Sequence, residues 1–174
     1  SYDGGGDDGH GLVVSVHDGV AEVLTALGDA QSLGLFYNNL MRPLGYGRFD
    51  EYKVMGLAPY GDPARFRAEL RTLYALGDDG AYQIHFERFL SLTGRFSFRR
   101  PGEPFTQDHC DLAAGIQEVL ETIAFHLIGV ARERTGHRQL CLAGGVALNC
   151  SFNGRLVEKG WFDEIFVQPV STDA

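Results

Sequence analysis

A short apolar segment that runs into two glycines constrains the fold of this chain more than any other feature. Residues 139–143 are apolar enough for a buried strand, and Gly144 and Gly145 follow directly. Residues 146–159 then carry apolar side chains at helical spacing, which predicts a helix that begins at the glycines. Glycine lets the backbone approach a ligand closely, and a helix start offers unpaired N–H groups. This order predicts an anion-binding turn, and the alternative is a tight connection that binds nothing.

The composition is that of a globular domain of ordinary size. The 174 residues are 44% hydrophobic, and 15 basic against 23 acidic side chains give a formal charge of −8, which argues against a nucleic-acid partner. Cys110, Cys141 and Cys150 form no CxxC pair, which argues against a zinc knuckle and favours a reduced, cytoplasmic compartment. We expect Cys141 to be buried in the predicted strand. We find no signal peptide and no unbroken apolar span for a membrane.

The remaining hydrophobic patterns predict a mixed α/β chain. Asp18-Gly19 lies between two β-leaning runs, 11–17 and 20–27, and predicts a hairpin. Strands separated by long helices near the end of the chain predict parallel pairing with helical crossovers. The other predicted elements are helices over 32–44, 64–76 and 108–135, a short helix followed by a strand within 82–100, and a final strand over 164–167.

Two glycine-rich segments are candidates for a site. The segment 45–63 has four glycines, two prolines and three tyrosines, which predicts an irregular but packed loop around Glu51 and Lys53. It is either a binding loop or an exposed connection with a local Glu51–Lys53 pair. In the segment 3–10, three glycines are flanked by aspartates, which predicts a surface loop or a site loop whose carboxylates hold a metal, a hydroxyl or a proton.

Four phrases together carry a resemblance to one known family. The chain resembles the O-carbamoyltransferases of the nodulation and antibiotic type, a group that includes the tobramycin and cephamycin carbamoyltransferases. The resemblance spans nearly the whole chain, and only residues 64–100 lack a diagnostic motif. The four phrases are DGGGD at 3–7, EYKVMGLAPYGDP at 51–63, LAGGVALNCSFNGRL at 142–156 and IFVQPVSTDA at 165–174.

The resemblance implies an α/β fold of the actin-like ATPase type, which is built from two ribonuclease-H-like halves, each a mixed sheet flanked by helices. Residues 1–174 would be the second half of the carbamoyl-transfer module, which is similar to threonylcarbamoyl-transferring proteins. The chain would then be a fragment of a longer protein and inactive in isolation. An upstream half would precede it, and a YrdC-like module would follow in the same polypeptide and make carbamoyl-adenylate from ATP and carbamoyl phosphate.

The resemblance also implies roles for individual residues. Gly144, Gly145 and Asn149 would hold the nucleotide, and Asp173 would ligate a divalent metal ion such as iron. The chemistry requires a base for the acceptor hydroxyl and a cation facing the carbamoyl oxygen. The catalytic candidates are Asp3, Asp7 and Lys53, and the candidates for a substrate loop are Glu51 and Asp62.

The implied reaction is transfer of a carbamoyl group from carbamoyl-adenylate to a hydroxyl of a sugar or another natural product. The expected partners are this small-molecule acceptor and carbamoyl phosphate, with neither a nucleic acid nor a membrane. Two alternatives use the same glycine turn. One is an ATP-dependent phosphotransferase that resembles sugar kinases, and the other is a non-catalytic domain that binds a nucleotide.

Overall fold

The structure is a computed structural model, and it describes residues 9–169. Its contacts divide the chain into two compact units, of which the first comprises residues 9–34, 76–82 and 124–169 and the second 35–75 and 83–123. In chain order the elements are β1 (Gly11–His17), β2 (Val20–Leu27), α1 (Leu33–Leu40), α2 (Glu51–Leu57), α3 (Arg67–Arg71), β3 (Tyr74–Leu76), β4 (Tyr82–Ile84), α4 (Phe86–Leu92), α5 (Gln107–Thr135), β5 (Gln139–Leu142), α6 (Cys150–Glu158) and β6 (Glu164–Val167).

The hairpin formed by β1 and β2 confirms the prediction from Asp18-Gly19. The two strands pair antiparallel from Gly11↔Leu27 to His17↔Val20. Asp18 and Gly19 both have positive φ, 51° and 78°, as a two-residue turn of type I′ requires. One face of this hairpin is apolar and exposed, and we call it the outer hairpin face. Its residues are Leu12, Val14, Val16 and Val23.

In the first unit, β5 and β6 form the predicted parallel pair. Their register runs from Gln139↔Glu164 to Leu142↔Val167. Helix α6 supplies the crossover, and its Phe152 ring packs 5.3 Å from the ring of Phe125 on α5. The prediction for Cys141 is wrong, because this side chain is exposed. Within residues 9–169 this sheet has two strands, and the face of β5 that carries Cys141 is uncovered.

The second unit has its core between α1, α2, α3 and the first half of α5. Side chains from these elements and their connections are almost wholly shielded from solvent, which is the main stabilisation expected for a domain of this size. The most deeply buried are Leu40, Met41, Leu44, Val54, Leu70, Leu73, Leu112, Ile116 and Ile123.

Three predicted elements differ from the structure. The helix expected over 64–76 is only Arg67–Arg71, and the chain continues as the strand Tyr74–Leu76. Within 82–100 the order is reversed, since a strand comes first and a helix follows. The buried rings of Tyr74 and Tyr82 favour strand over helix, and the loop between them allows the two strands to pair.

The long helix α5 agrees with its prediction to within one residue at its start. It is also long and apolar enough to meet the length and composition criterion for a membrane span, which corrects our expectation that the chain has no such segment. In its most apolar window of 18 residues, 61% of the residues are buried inside the structure. A helix buried to this extent is typical of a protein core.

Candidate functional site

The glycine turn follows the carboxyl end of β5, as predicted. Gly144 has φ +91°, a conformation that side chains with a Cβ rarely adopt. The next residues, Gly145–Leu148, form a 3-10 turn, and α6 begins only at Cys150. The predicted helix start at the glycines is therefore wrong. The 3-10 turn separates the glycines from Asn149, which is the N-cap of α6.

Two asparagines fix this turn to α6. Asn149 Oδ1 accepts a hydrogen bond of 2.9 Å from the backbone N–H of Phe152, so its carboxamide is the N-cap of the helix. Asn153 Nδ2 donates a bond of 2.8 Å back to the carbonyl of Ala147. The geometry gives Asn149 a structural role, and its predicted contact with a nucleotide stays a prediction.

The position of the glycine turn suits a ligand site. In open α/β sheets, ligands bind beyond the carboxyl ends of parallel strands. Gly144 lies two residues beyond Leu142, which pairs with Val167 at the end of β6. Both strands of the pair therefore end at the same edge, and the glycine turn lies there.

Lys53 is held by the residue that precedes α2. Its ammonium lies 2.6 Å from Asp50 Oδ1, and the hydrogen bond between them raises the pKa of Lys53 and lowers the pKa of Asp50. The local Glu51–Lys53 pair considered above is not formed. Residues 51–57 are helical, so the prediction of an irregular loop over 45–63 is also wrong in part. The helix points Glu51 elsewhere, where its Oε1 accepts a hydrogen bond of 2.8 Å from Asn38 Nδ2.

Next to Glu51, the second unit contains a buried polar network that sequence reasoning missed. The hydroxyl of Tyr37 donates to Gln117 Oε1 over 3.3 Å, and Gln117 Nε2 donates to Glu121 Oε1 over 2.7 Å. Burial, followed by the charges of Glu51 and Glu121, raises the pKa of Tyr37. A signal was present in the sequence, because Gln117 and Glu121 are four residues apart and interrupt the apolar pattern of α5.

Asp62 caps a turn at the end of the same segment. Its Oδ1 accepts a bond of 2.9 Å from the N–H of Ala64, and its own N–H donates over 2.8 Å to Asp111 Oδ1. The structure gives the carboxylate of Asp62 a structural partner, and its predicted role in a substrate loop stays a prediction.

A series of contacts between aromatic rings and cations lies beside α2. The ammonium of Lys53 lies 5.6 Å from the ring centre of Tyr52 and 5.7 Å from that of Tyr46. The ring of Phe105 lies 5.8 Å from Tyr46, and the guanidinium of Arg99 lies 4.1 Å from the ring of Phe105. A ring and a cation attract each other at these distances.

The predicted site residues are distributed over both units and over the part of the chain outside residues 9–169. Glu51, Lys53 and Asp62 belong to the second unit, whereas Gly144, Gly145 and Asn149 belong to the first. Asp3, Asp7 and Asp173 lie outside the described residues. Within residues 9–169, no group of three or more His, Cys, Asp or Glu side chains is arranged to hold a metal ion. The predicted role of Asp173 as a metal ligand stays a prediction.

Comparisons with known proteins cover the whole chain. The family model described as "Carbamoyltransferase N-terminus" matches residues 3–174. The chain is 50% identical over 175 residues to nodulation protein NolO of Bradyrhizobium diazoefficiens, covering all of this chain and 32% of that protein. It is 49% identical to nodulation protein NolNO of Sinorhizobium fredii, again over its full length and 26% of the relative.

A more distant relative is a tRNA N6-adenosine threonylcarbamoyltransferase of Gloeobacter violaceus, which is 28% identical over 91% of this chain and 45% of the relative. The chain thus spans about a quarter to a third of the length of the two nodulation proteins. The match over residues 3–174 shows that the chain belongs to the carbamoyltransferase N-terminus family.

Proposed function

We propose that the full-length protein is an O-carbamoyltransferase that passes a carbamoyl group from carbamoyl-adenylate to a hydroxyl of a sugar or another natural product. Membership of the carbamoyltransferase N-terminus family supports a carbamoyl group as the group that is transferred. In the structure, the main support for the proposal is the glycine turn. It lies at the carboxyl edge of the parallel pair formed by β5 and β6, and Gly144 has a positive φ. Such a turn suits the anionic phosphate of an adenylate.

The proposed step exchanges one C–O bond for another. The acceptor oxygen attacks the carbamoyl carbon, and the bond from that carbon to the adenylate phosphate oxygen breaks. The hydroxyl proton passes to a base, and AMP leaves as an anion. Asp3 or Asp7 would be the base, and the charged ammonium of Lys53 is a candidate to face the carbonyl oxygen as it gains negative charge.

Lys53 would have to exchange its partner for this role. Its ammonium is now bound to Asp50, so approach of a substrate carbonyl would lengthen that ion pair. Gly144, Gly145 and Asn149 are proposed to hold the nucleotide, and Glu51 and Asp62 to shape the acceptor side. A divalent metal ion, when bound through Asp173 and residues outside the described part, would stabilise negative charge on the reacting group.

The place of this chain in the protein is also part of the proposal. Residues 1–174 would be the second half of a transfer module with an actin-like fold, to which the distant likeness to a tRNA threonylcarbamoyltransferase lends support. The larger size of the nodulation relatives supports further modules in the same polypeptide, among them a YrdC-like module that makes carbamoyl-adenylate from ATP and carbamoyl phosphate. We place the enzyme in the cytoplasm, where both of these substrates would be available.

The test uses the full-length protein with ATP, carbamoyl phosphate and a panel of hydroxylated acceptors. We expect pyrophosphate release and an acceptor that gains one carbamoyl group by mass spectrometry. Asp3→Asn or Asp7→Asn should leave pyrophosphate release intact and slow transfer by about 10²- to 10⁴-fold, the usual effect of losing a general base. An acceptor that gains a phosphoryl group would instead identify a phosphotransferase. Nucleotide binding without any product would identify a non-catalytic domain.

A further inference from the structure

Phe49 has a backbone conformation that its residue type disfavours. Its φ is +73°, and within residues 9–169 the only other non-glycine residue with positive φ is Asp18. Asp18 has a local explanation, because aspartate tolerates this region and the hairpin turn requires it. A bulky residue does not tolerate it, and a left-handed conformation costs about 1–2 kcal/mol for a residue with a Cβ.

The strain at Phe49 is imposed by a turn that is tied to the candidate site. The backbone N–H of Asp50 donates over 3.1 Å to the carbonyl of Gly47, which closes a four-residue turn with Phe49 in its third position. Glycine or asparagine is usual at that position when φ is positive. Asp50 Oδ2 also accepts from the N–H of Gly47, while its Oδ1 holds Lys53. The same carboxylate thus fixes both the strained turn and the ammonium.

Burial does not compensate for this strain. The Phe49 side chain is 76% exposed, and the guanidinium of Arg48 lies 5.1 Å from its ring centre. A phenylalanine in a core gains the free energy of apolar burial, but this one leaves most of that gain unrealised. Strained backbone conformations cluster at active sites and ligand-binding sites.

The surroundings of Phe49 indicate which ligand would use it. Tyr46 and Tyr52 flank Lys53, and Tyr52 is 62% exposed. Phe49 lies between Tyr46 and Tyr52 in the chain, and we call these three residues the aromatic platform. Aromatic side chains offer a large contact area at a low cost in conformational entropy, and their flat faces suit the flat side of a ring. The neighbouring carboxylates of Asp50 and Glu51 are hydrogen-bond acceptors for hydroxyl groups.

We propose that Phe49 determines acceptor specificity by contacting a hydroxyl-bearing ring, such as a sugar ring, on the aromatic platform. The inference rests on the proposed function, because the ring that contacts Phe49 is the acceptor of the proposed carbamoyl transfer. Phe49 is held in a strained turn so that its ring faces the acceptor rather than the protein core. Replacement of Phe49 by glycine should therefore remove the backbone strain and impair acceptor binding at the same time.

The experiment compares Phe49→Gly with the wild-type full-length enzyme, using the ring acceptor found in the carbamoylation screen. We expect the KM for that acceptor to rise about 5- to 13-fold, as loss of an aromatic contact of about 1–1.5 kcal/mol predicts. Pyrophosphate release from ATP and carbamoyl phosphate should be unchanged, and the thermal midpoint should rise. Phe49→Tyr should keep the KM within about threefold, because it keeps the ring.

Controls separate this inference from the proposed function. Phe49→Asn also suits a left-handed turn and provides a second variant without the ring. Phe98 also belongs to the second unit, its ring is 54% exposed, and its backbone φ is not positive. Phe98→Asn should therefore leave the KM for the acceptor unchanged. An unchanged KM in both Phe49→Gly and Phe49→Asn overturns the inference.

A wild-type enzyme that carbamoylates no acceptor overturns the proposed function instead. In that case, calorimetry with glucosamine and the linear polyol sorbitol still tests the platform. We expect the wild-type protein to bind the ring compound more tightly than the linear one, and Phe49→Gly to lose this difference. Equal preference in the two proteins overturns the inference.

Discussion

Tyr37 is almost completely buried, and its hydroxyl is part of the polar network beside Glu51. Its raised pKa means that the native state keeps the phenolic proton at a pH where the unfolded chain loses it. The stability linked to this group is therefore fully present below the ordinary tyrosine pKa of about 10, and it is lost as pH rises above that value. Between the two pKa values, the loss is about 1.4 kcal/mol per pH unit.

Tyr37→Phe should remove this loss of stability at alkaline pH, but it should also lower the stability near neutral pH. The hydrogen bond to Gln117 disappears, which lowers the free energy of unfolding by about 1 kcal/mol. Urea unfolding at about pH 8 and about pH 10.5 should show that the variant loses less stability over this interval than the wild type. Tyr60→Phe, which alters a ring that is 73% exposed, is the control. Equal losses in all three proteins would contradict the assignment.

At this scale, the sequence predicted positions better than conformations. The glycine turn was placed correctly because a strand followed by Gly-Gly has a strong local signal. The later start of α6 was missed, because it depends on the side chain of Asn149 reaching the N–H of Phe152. The left-handed backbone of Phe49 could not be predicted, since nothing about a phenylalanine favours it.

Among the elements, α2 and the turns that follow it contain two glycines with opposite roles. Gly56 lies inside α2, and a Cβ added there would meet no atom within 4 Å. Gly61 lies after the helix, and a Cβ there would overlap the carbonyl group of Cys110 on α5. The first glycine is therefore dispensable for packing, whereas the second lets two backbones approach each other closely.

Alanine substitutions should separate these roles. Gly56→Ala should stabilise the second unit by about 0.5–1 kcal/mol, because alanine is the better helix former. Gly61→Ala should destabilise it by about 3 kcal/mol or more, because the overlapping atoms belong to a backbone that cannot move aside. Chemical unfolding of the two variants measures both effects. A mild effect at Gly61 would show that the close contact with α5 is not needed for folding.

Elements formed by local interactions were predicted well, and elements that depend on a distant segment of the chain were not. The hairpin was predicted from its turn, and α5 from an apolar pattern that continues over eight turns. Residues 64–100 were predicted poorly, since β3 exists only because a strand from later in the chain pairs with it. Such pairing overrides local helix propensity and has no signal within a single segment.

At the scale of the molecule, the outer hairpin face is an exposed apolar surface on a sheet that has two strands in the described part of the chain. Val16 and Val23 are each 58% exposed. Surfaces of this kind favour association between proteins. The family membership could be predicted from four short phrases, but the division into two units could not, because the helical pattern of α5 continues through the boundary at residue 123.

The isolated 174-residue chain should therefore associate as its concentration rises. Val16→Lys should reduce this association, because a charge on the outer hairpin face must be desolvated in any contact. Sedimentation velocity over a range of concentrations measures the effect. Val157→Lys introduces the same charge at an exposed position on α6 and should leave association unchanged. A wild-type chain that sediments as a monomer throughout would contradict the prediction.

The cap of α6 has a consequence for any ligand of the glycine turn. The amide proton of Phe152 is bound to Asn149 Oδ1, so its exchange with deuterium reports whether that bond is closed. A nucleotide that recruited the Asn149 side chain would release this proton and speed its exchange. A nucleotide held by backbone groups alone would leave the proton protected. One amide resonance therefore distinguishes the two modes of binding in solution.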